Sequence, residues 1–167
     1  MIDICRYVKD NSIPQPIATD DKEFRDFFKK MKIKVAVEIG TQRGLSAAWI
    51  AQYATRVYTF DIVEHKEKYK VWEDLEVGKK ICAIKLLSEH NLVEILGMIE
   101  FDFAFIDGNY SYESVKEDFE LVKQCGRVLF HDTELRSNGA HDGVRKFVEE
   151  LGNVKVTGNI GYWKGKK

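Results

Sequence analysis

The chain has 167 residues, with 26 Lys and Arg against 27 Asp and Glu and a formal net charge of −1. That balance offers no general attraction to nucleic acid or to an anionic membrane surface. A hydrophobic content of 44% with only two prolines excludes a disordered or fibrous chain, and the length is that of one domain that hides about 70% of its extended-chain surface without staples.

Residues 20–31 place Phe24, Phe27, Phe28 and Met31 at helical spacing, with Thr19 or Asp20 as the expected N-cap. Residues 34–39 read as a strand that stops at Gly40, and 44–54 as a helix. A second strand is expected over 56–61, a charged helix over 64–76, an apolar strand over 80–87 and a short helix over 89–98. A strand over 101–106 ends at Asp107, a helix follows over 111–124, and another strand runs from Arg127 to His131. A helix over 142–151 precedes two short strands, 153–157 and 160–164, joined across Gly158-Asn159. So tight a connection implies an antiparallel pair. Residues 1–31 read as a helical extension and 32–167 as the core.

Strand and helix alternate five times before the terminal hairpin. The fold class is therefore α/β: a doubly wound, Rossmann-like sheet of seven strands in the order 3-2-1-4-5-7-6, the last strand antiparallel. Ligands of such sheets bind beyond the carboxyl ends of the strands. Here those ends carry Glu38-Ile39-Gly40-Thr41-Gln42-Arg43-Gly44, Asp61, Ser88, Asp107-Gly108-Asn109 and His131-Asp132-Thr133. Gly40 and Gly44 bracket a tight turn where backbone comes close to a ligand, and the next helix aims unpaired N–H groups at it. Asp61, at the end of the second strand, is placed to accept both hydroxyls of a ribose. Together they point to a nucleoside-containing cofactor. Gln42 breaks the Gly-x-Gly-x-x-Gly fingerprint of dinucleotides, and Glu38 suits a cationic ligand group. A ribose, an ammonium and a sulfonium together describe S-adenosylmethionine.

From about residue 20 onward the chain resembles the class I S-adenosylmethionine-dependent methyltransferases. The run Glu38 to Ser46 is similar to that family's first motif. The resemblance implies cofactor contacts at Glu38, Gly40, Thr41, Gly44, Ser46, Asp61, Ile62, Ser88 and Asp107. A narrower resemblance rests on Phe105-Ile106-Asp107-Gly108-Asn109-Tyr110-Ser111-Tyr112-Glu113, on Val128 to Thr133, and on Gly143-Val144-Arg145-Lys146-Phe147. These runs look like the small-molecule O-methyltransferase branch, which includes the sugar O-methyltransferases of macrolide biosynthesis, the cephalosporin hydroxylase group and, more distantly, catechol O-methyltransferase.

The resemblance implies a divalent metal site at Asp107, His131 and Asp132. His131 stands where relatives carry an acid, and imidazole suits zinc, iron or manganese better than magnesium. Tyr110 stands where the catechol-type enzymes carry a lysine base. Asp107, His131 and His141 are the catalytic candidates. In the metal-free alternative Asp107 orients the methionine end of the cofactor and His131 is a base. His65 and His90 read as solvated, and Trp49 and Trp72 as core. Cys5, Cys82 and Cys125 are too scattered for a disulfide framework or a zinc cage and read as reduced, partly buried thiols. No run reaches the ~18 apolar residues of a membrane span, and residues 1–6 show no signal-peptide pattern. The expectation is a cytoplasmic methyltransferase acting on a small polyhydroxylated acceptor, with no nucleic acid or membrane partner; acceptor specificity would come from residues 1–31, from the 134–141 loop or from a second subunit of a homo-oligomer. A catalytically reduced cofactor-binding or assembly protein is the alternative, and a nicotinamide-dependent oxidoreductase a third reading disfavoured by Gln42.

Overall fold

The computed structural model describes residues 4–13, 18–87, 89–134 and 142–165. Two helices, α1 (Ile4–Asp10) and α2 (Lys22–Phe28), precede the sheet. The alternation then runs β1 (Ile33–Ile39), α3 (Leu45–Ala51), β2 (Ala54–Asp61), α4 (Glu67–Asp74), β3 (Ile81–Lys85), α5 (Glu89–Leu96), β4 (Phe103–Ile106), α6 (Tyr112–Val122), β5 (Arg127–His131) and α7 (Asp142–Leu151). A hairpin of β6 (Val154–Thr157) and β7 (Ile160–Lys164) follows. The sheet order is β3-β2-β1-β4-β5-β7-β6. The first five strands pair in parallel, and β7 runs antiparallel to both β5 and β6. The sheet is therefore the one the alternation predicts.

Alternate residues of each central strand feed opposite faces, as the period of two requires. Phe103 and Phe105 of β4 join Phe24, Phe28, Trp49, Ile50 and Trp72 in one core, which α1 to α4 cover. Ala104 and Ile106 join Leu92, Val115, Phe119 and Phe147 in a second core under α5 to α7. Phe24 and Phe28 are fully buried, so α2 is packed into the first core. Each such ring contributes roughly 1.5–3 kcal/mol by leaving water. Trp49 and Trp72 are core residues, as predicted.

Several boundaries differ from the sequence pattern for identifiable reasons. Gly44 has φ +75 and stays outside α3, which begins at Leu45. The strand predicted from residue 101 begins at Phe103. Asp102 instead turns its carboxylate to Lys34 N (3.1 Å), Val35 N (2.9 Å) and Arg127 Nη2 (2.6 Å), closing the amino ends of three neighbouring strands. The helix predicted over 20–31 is shorter, and its N-cap is Asp21 rather than Thr19 or Asp20. Cys5 is exposed, whereas Cys82 and Cys125 are partly buried as expected.

Candidate functional site

A cleft of about 550 Å³ opens at the carboxyl ends of β1, β2, β4 and β5. The sequence of the first turn is dictated by close approach. A Cβ on Gly40, at φ +98, would lie 2.2 Å from the Asp107 carbonyl oxygen, so the ends of β1 and β4 touch only because this residue is glycine. A Cβ on Gly44 would meet the Trp72 indole at 2.5 Å, and that indole donates from Nε1 to the Gly44 carbonyl at 2.7 Å. Gln42 takes a positive φ of 43 between them. Asp61 holds the turn in place. Its Oδ2 accepts from Thr41 N (3.1 Å) and Gln42 N (2.8 Å), and its Oδ1 accepts from Val63 N (2.8 Å). A carboxylate offers about four acceptor positions, so Asp61 retains capacity for a ligand hydroxyl.

Glu38 is fully buried and does not line the cleft. Thr59 Oγ1 donates to its Oε2 at 2.5 Å, and Thr41 Oγ1 lies 2.6 Å from Thr59 Oγ1. Burial pushes the carboxyl up to about 8, against the opposing pull of the Ser46 and Thr59 hydroxyls. At neutral pH this acid is mostly uncharged. Through the Thr59 and Thr41 hydroxyls it braces the turn from beneath.

On the far side of the cleft Asp107, His131 and Asp132 converge, each offering one ligand atom within 4.8 Å of the others. His131 Nδ1 lies 3.4 Å from Asp107 Oδ1 and 3.3 Å from Asp132 Oδ2. Nδ1 is buried and faces both carboxylates without a hydrogen bond. Asp132 has φ 58, an unusual backbone for a non-glycine. Burial would lower the His131 pKa, but the carboxylates of Asp107, Asp132 and Asp21 outweigh it and hold the ring up to about 12.

Asp21 and Asn159 belong to this cluster and have no functional signal in the sequence. Asp21 Oδ2 lies 2.8 Å from His131 Nε2. Asn159 Nδ2 donates to Asp21 Oδ2 and to Asp132 Oδ1, both at 3.1 Å. Asp21 lies just past the expected N-cap positions and Asn159 in a tight turn, so neither stands out from its local pattern. Asp21 has the extended backbone of an N-cap but makes no side-chain cap bond, forgoing a contact typically worth about 1 kcal/mol.

Of the predicted site residues, Gly40, Thr41, Gly44, Ser46, Asp61, Ile62, Asp107, His131 and Asp132 line the one cleft. Ser88 and His141 lie outside the described residues. His65, expected to be solvated, is half-buried and also lines the cleft. Tyr110 lines it too, whereas Tyr112 packs on Phe147 at 5.9 Å and donates to Glu150 at 2.6 Å, which is helix packing.

A family model described as a methyltransferase domain matches residues 37–133. A 30% identical stretch aligns 77% of this chain with an uncharacterized protein of Sinorhizobium fredii, of whose length the chain spans 16%. Among solved structures, the O-methyltransferase of Bacillus cereus in complex with SAH superposes with a TM-score of 0.70 at 18% identity, covering 96% of this chain and 88% of that one. TomG of Streptomyces achromogenes, an O-methyltransferase of tomaymycin synthesis in complex with SAM, gives 0.68 at 16% identity, with 98% and 88% covered. The precorrin 8w decarboxylase of Methanobacterium thermoautotrophicum gives 0.63 at 18% identity, with 93% and 95% covered. At such identities the likeness is one of fold. With the family model spanning more than half its length and the seven-stranded order of the class I fold, the chain belongs to the methyltransferase domain family.

Proposed function

We propose that the protein transfers a methyl group from S-adenosylmethionine to a hydroxyl of a small, polyhydroxylated acceptor, assisted by a divalent cation held by Asp107, His131 and Asp132. The observation that carries this reading is the convergence, in one cleft, of the Gly40–Gly44 turn with Asp61 on one side and the three-residue cluster on the other.

The residues suit the cofactor. Asp61 has acceptor capacity left for ribose hydroxyls, and Ile62, Leu86 and Leu92 offer apolar wall for a purine ring. When bound, the cofactor supplies an electrophilic methyl group on a sulfonium. The chain's own contribution is placement: the Gly40 turn lets backbone approach the ligand, and the cleft walls exclude water from a displacement that needs alignment above all.

The cluster suits a cation. A buried imidazole nitrogen without a hydrogen bond faces two carboxylates, a mixed donor set that favours zinc or manganese over magnesium. Such an ion, when bound, lowers the pKa of an acceptor hydroxyl and orients it. Replacing the imidazole by oxygen in His131→Glu should move the preference back toward magnesium.

The test is release of S-adenosylhomocysteine from S-adenosylmethionine in the presence of polyhydroxylated acceptors, with zinc, manganese or magnesium added, beside calorimetry of both adenosyl ligands. Asp61→Ala should weaken either ligand by roughly 1–3 kcal/mol. Wild-type protein that binds neither ligand would sink the assignment. A second reading, a cofactor-binding assembly protein without turnover, is favoured by the charge that His131 itself brings among three carboxylates. Tight ligand binding with no turnover under any metal would select it.

A further inference from the structure

We propose that Asp21 and Asn159 are positioning residues for the His131 ring, holding it so that Nδ1 is the atom presented to Asp107 and Asp132. The proposal deepens the cation-assisted reading and rests on it.

In the neutral ring that metal ligation requires, the hydrogen inventory leaves one arrangement. An ionised carboxylate only accepts, so an Asp21 oxygen 2.8 Å from His131 Nε2 requires the proton to be on Nε2. Asn159 cannot supply that bond from the other side. Its Nδ2 has two hydrogens, and both are taken at 3.1 Å by Asp21 Oδ2 and Asp132 Oδ1; His131 Nε2 lies farther off at 3.4 Å. Asn159 Oδ1 in turn accepts from Glu134 N at 3.3 Å, which fixes which end of the amide faces the carboxylates. The rest of the ring is wedged between apolar edges, Phe24 and Phe105, each with its centroid 6.4 Å away and tilted steeply. With Nε2 occupied, Nδ1 is the nitrogen left over. It is the buried atom, without a hydrogen bond, that faces the two carboxylates.

Asp21 also departs from its local role. It stands at the cap of α2 and leaves the helix uncapped in order to meet a residue 110 positions away. Such departures from local preference mark sites where another requirement dominates. Here the requirement is a ring orientation, and outer partners of ligating histidines typically change metal affinity by 10–100-fold.

The experiment titrates the full chain with zinc chloride by calorimetry. It also records long-range ¹⁵N–¹H correlations of the His131 ring, in wild type, Asp21→Ala and Asp21→Asn. The alanine variant should lose about 10–100-fold in zinc affinity while still binding S-adenosylhomocysteine. The asparagine variant, which keeps the shape and one acceptor oxygen, should fall between the two. It carries the test alone if the alanine variant does not fold. Zinc-loaded wild type should show metal at Nδ1 and a proton on Nε2. Zinc affinity unchanged in the variants, or ligation through Nε2, overturns the proposal while leaving the cation-assisted reading intact. If wild type takes up no zinc, manganese or magnesium, it is the cation-assisted reading that fails. The positioning proposal is then decided on the metal-free ring: an Nε2 proton signal that shifts in the Asp21 variants supports it, and an unprotonated Nε2 overturns it.

Discussion

At the scale of single residues, Glu38 has the most direct consequence for stability. Its carboxyl ordinarily titrates near 4.5, and burial raises it to about 8 in the fold. A folded-state pKa above the unfolded value means that the folded chain binds more protons between the two. The contribution is fully present below pH 4.5 and is lost as pH rises through about 8. Glu38→Gln cannot titrate and keeps an oxygen for the Thr59 hydroxyl. Denaturant unfolding of both proteins between pH 5 and pH 8 should therefore show wild type losing stability more steeply, by on the order of a few kcal/mol. Parallel pH slopes would show that Glu38 is ionised in the fold. Residue by residue, legibility followed locality. Gly40, Asp61, Asp107, His131 and Asp132 each follow an apolar run, so the strand pattern exposed them. Glu38 was legible as an acid at a strand end, but its sealing beneath the turn was not, because nothing in its neighbours announces the Thr59 hydroxyl across the sheet.

At the scale of elements, the β6–β7 hairpin has two roles. β7 pairs with β5 along its whole length, from Arg127 opposite Lys164 to His131 opposite Ile160. Its Trp163 packs edge-on against Phe119 of α6 at 5.0 Å. Its turn also carries Asn159 to the Asp107, His131 and Asp132 cluster. Truncation after Leu151 would open the β5 edge, four of whose five residues are buried, and so present an unpaired apolar template. Size-exclusion chromatography of the truncated chain should find aggregates. A soluble, cooperatively unfolding truncation would mean that the hairpin is dispensable to the sheet. The hairpin itself was legible, because Gly158-Asn159 between two short apolar runs demands a tight turn. Its second role was not, since a turn asparagine looks the same whether or not a distant carboxylate awaits it. The same holds for α2, whose phenylalanine spacing was plain while the orientation of Asp21 depended on His131.

At the scale of the molecule, ligand binding is linked to global unfolding. A ligand that binds only the folded chain at 100 times its Kd adds about 2.7 kcal/mol. For a chain of this size that raises Tm by roughly 5–11 °C. S-adenosylmethionine and S-adenosylhomocysteine should produce such shifts and nicotinamide dinucleotides should not; the reverse order would return the chain to the oxidoreductase reading. Among the described residues no helix is long and apolar enough to cross a membrane. The contact of Asp21 with Asn159 joins residues 138 positions apart, and that distance along the chain has a kinetic meaning. Loop closure over so long a span costs entropy before any contact rewards it, and non-local contacts of this kind slow folding. The parallel strands can pair among themselves earlier, but the ring of His131 has no fixed orientation until the chain's two flanks meet around it. A growing polypeptide emerging from the ribosome would thus carry its Gly40–Gly44 turn well before the contacts that Asp21 and Asn159 make around His131, so the orientation of that ring would be the last property the cleft acquires.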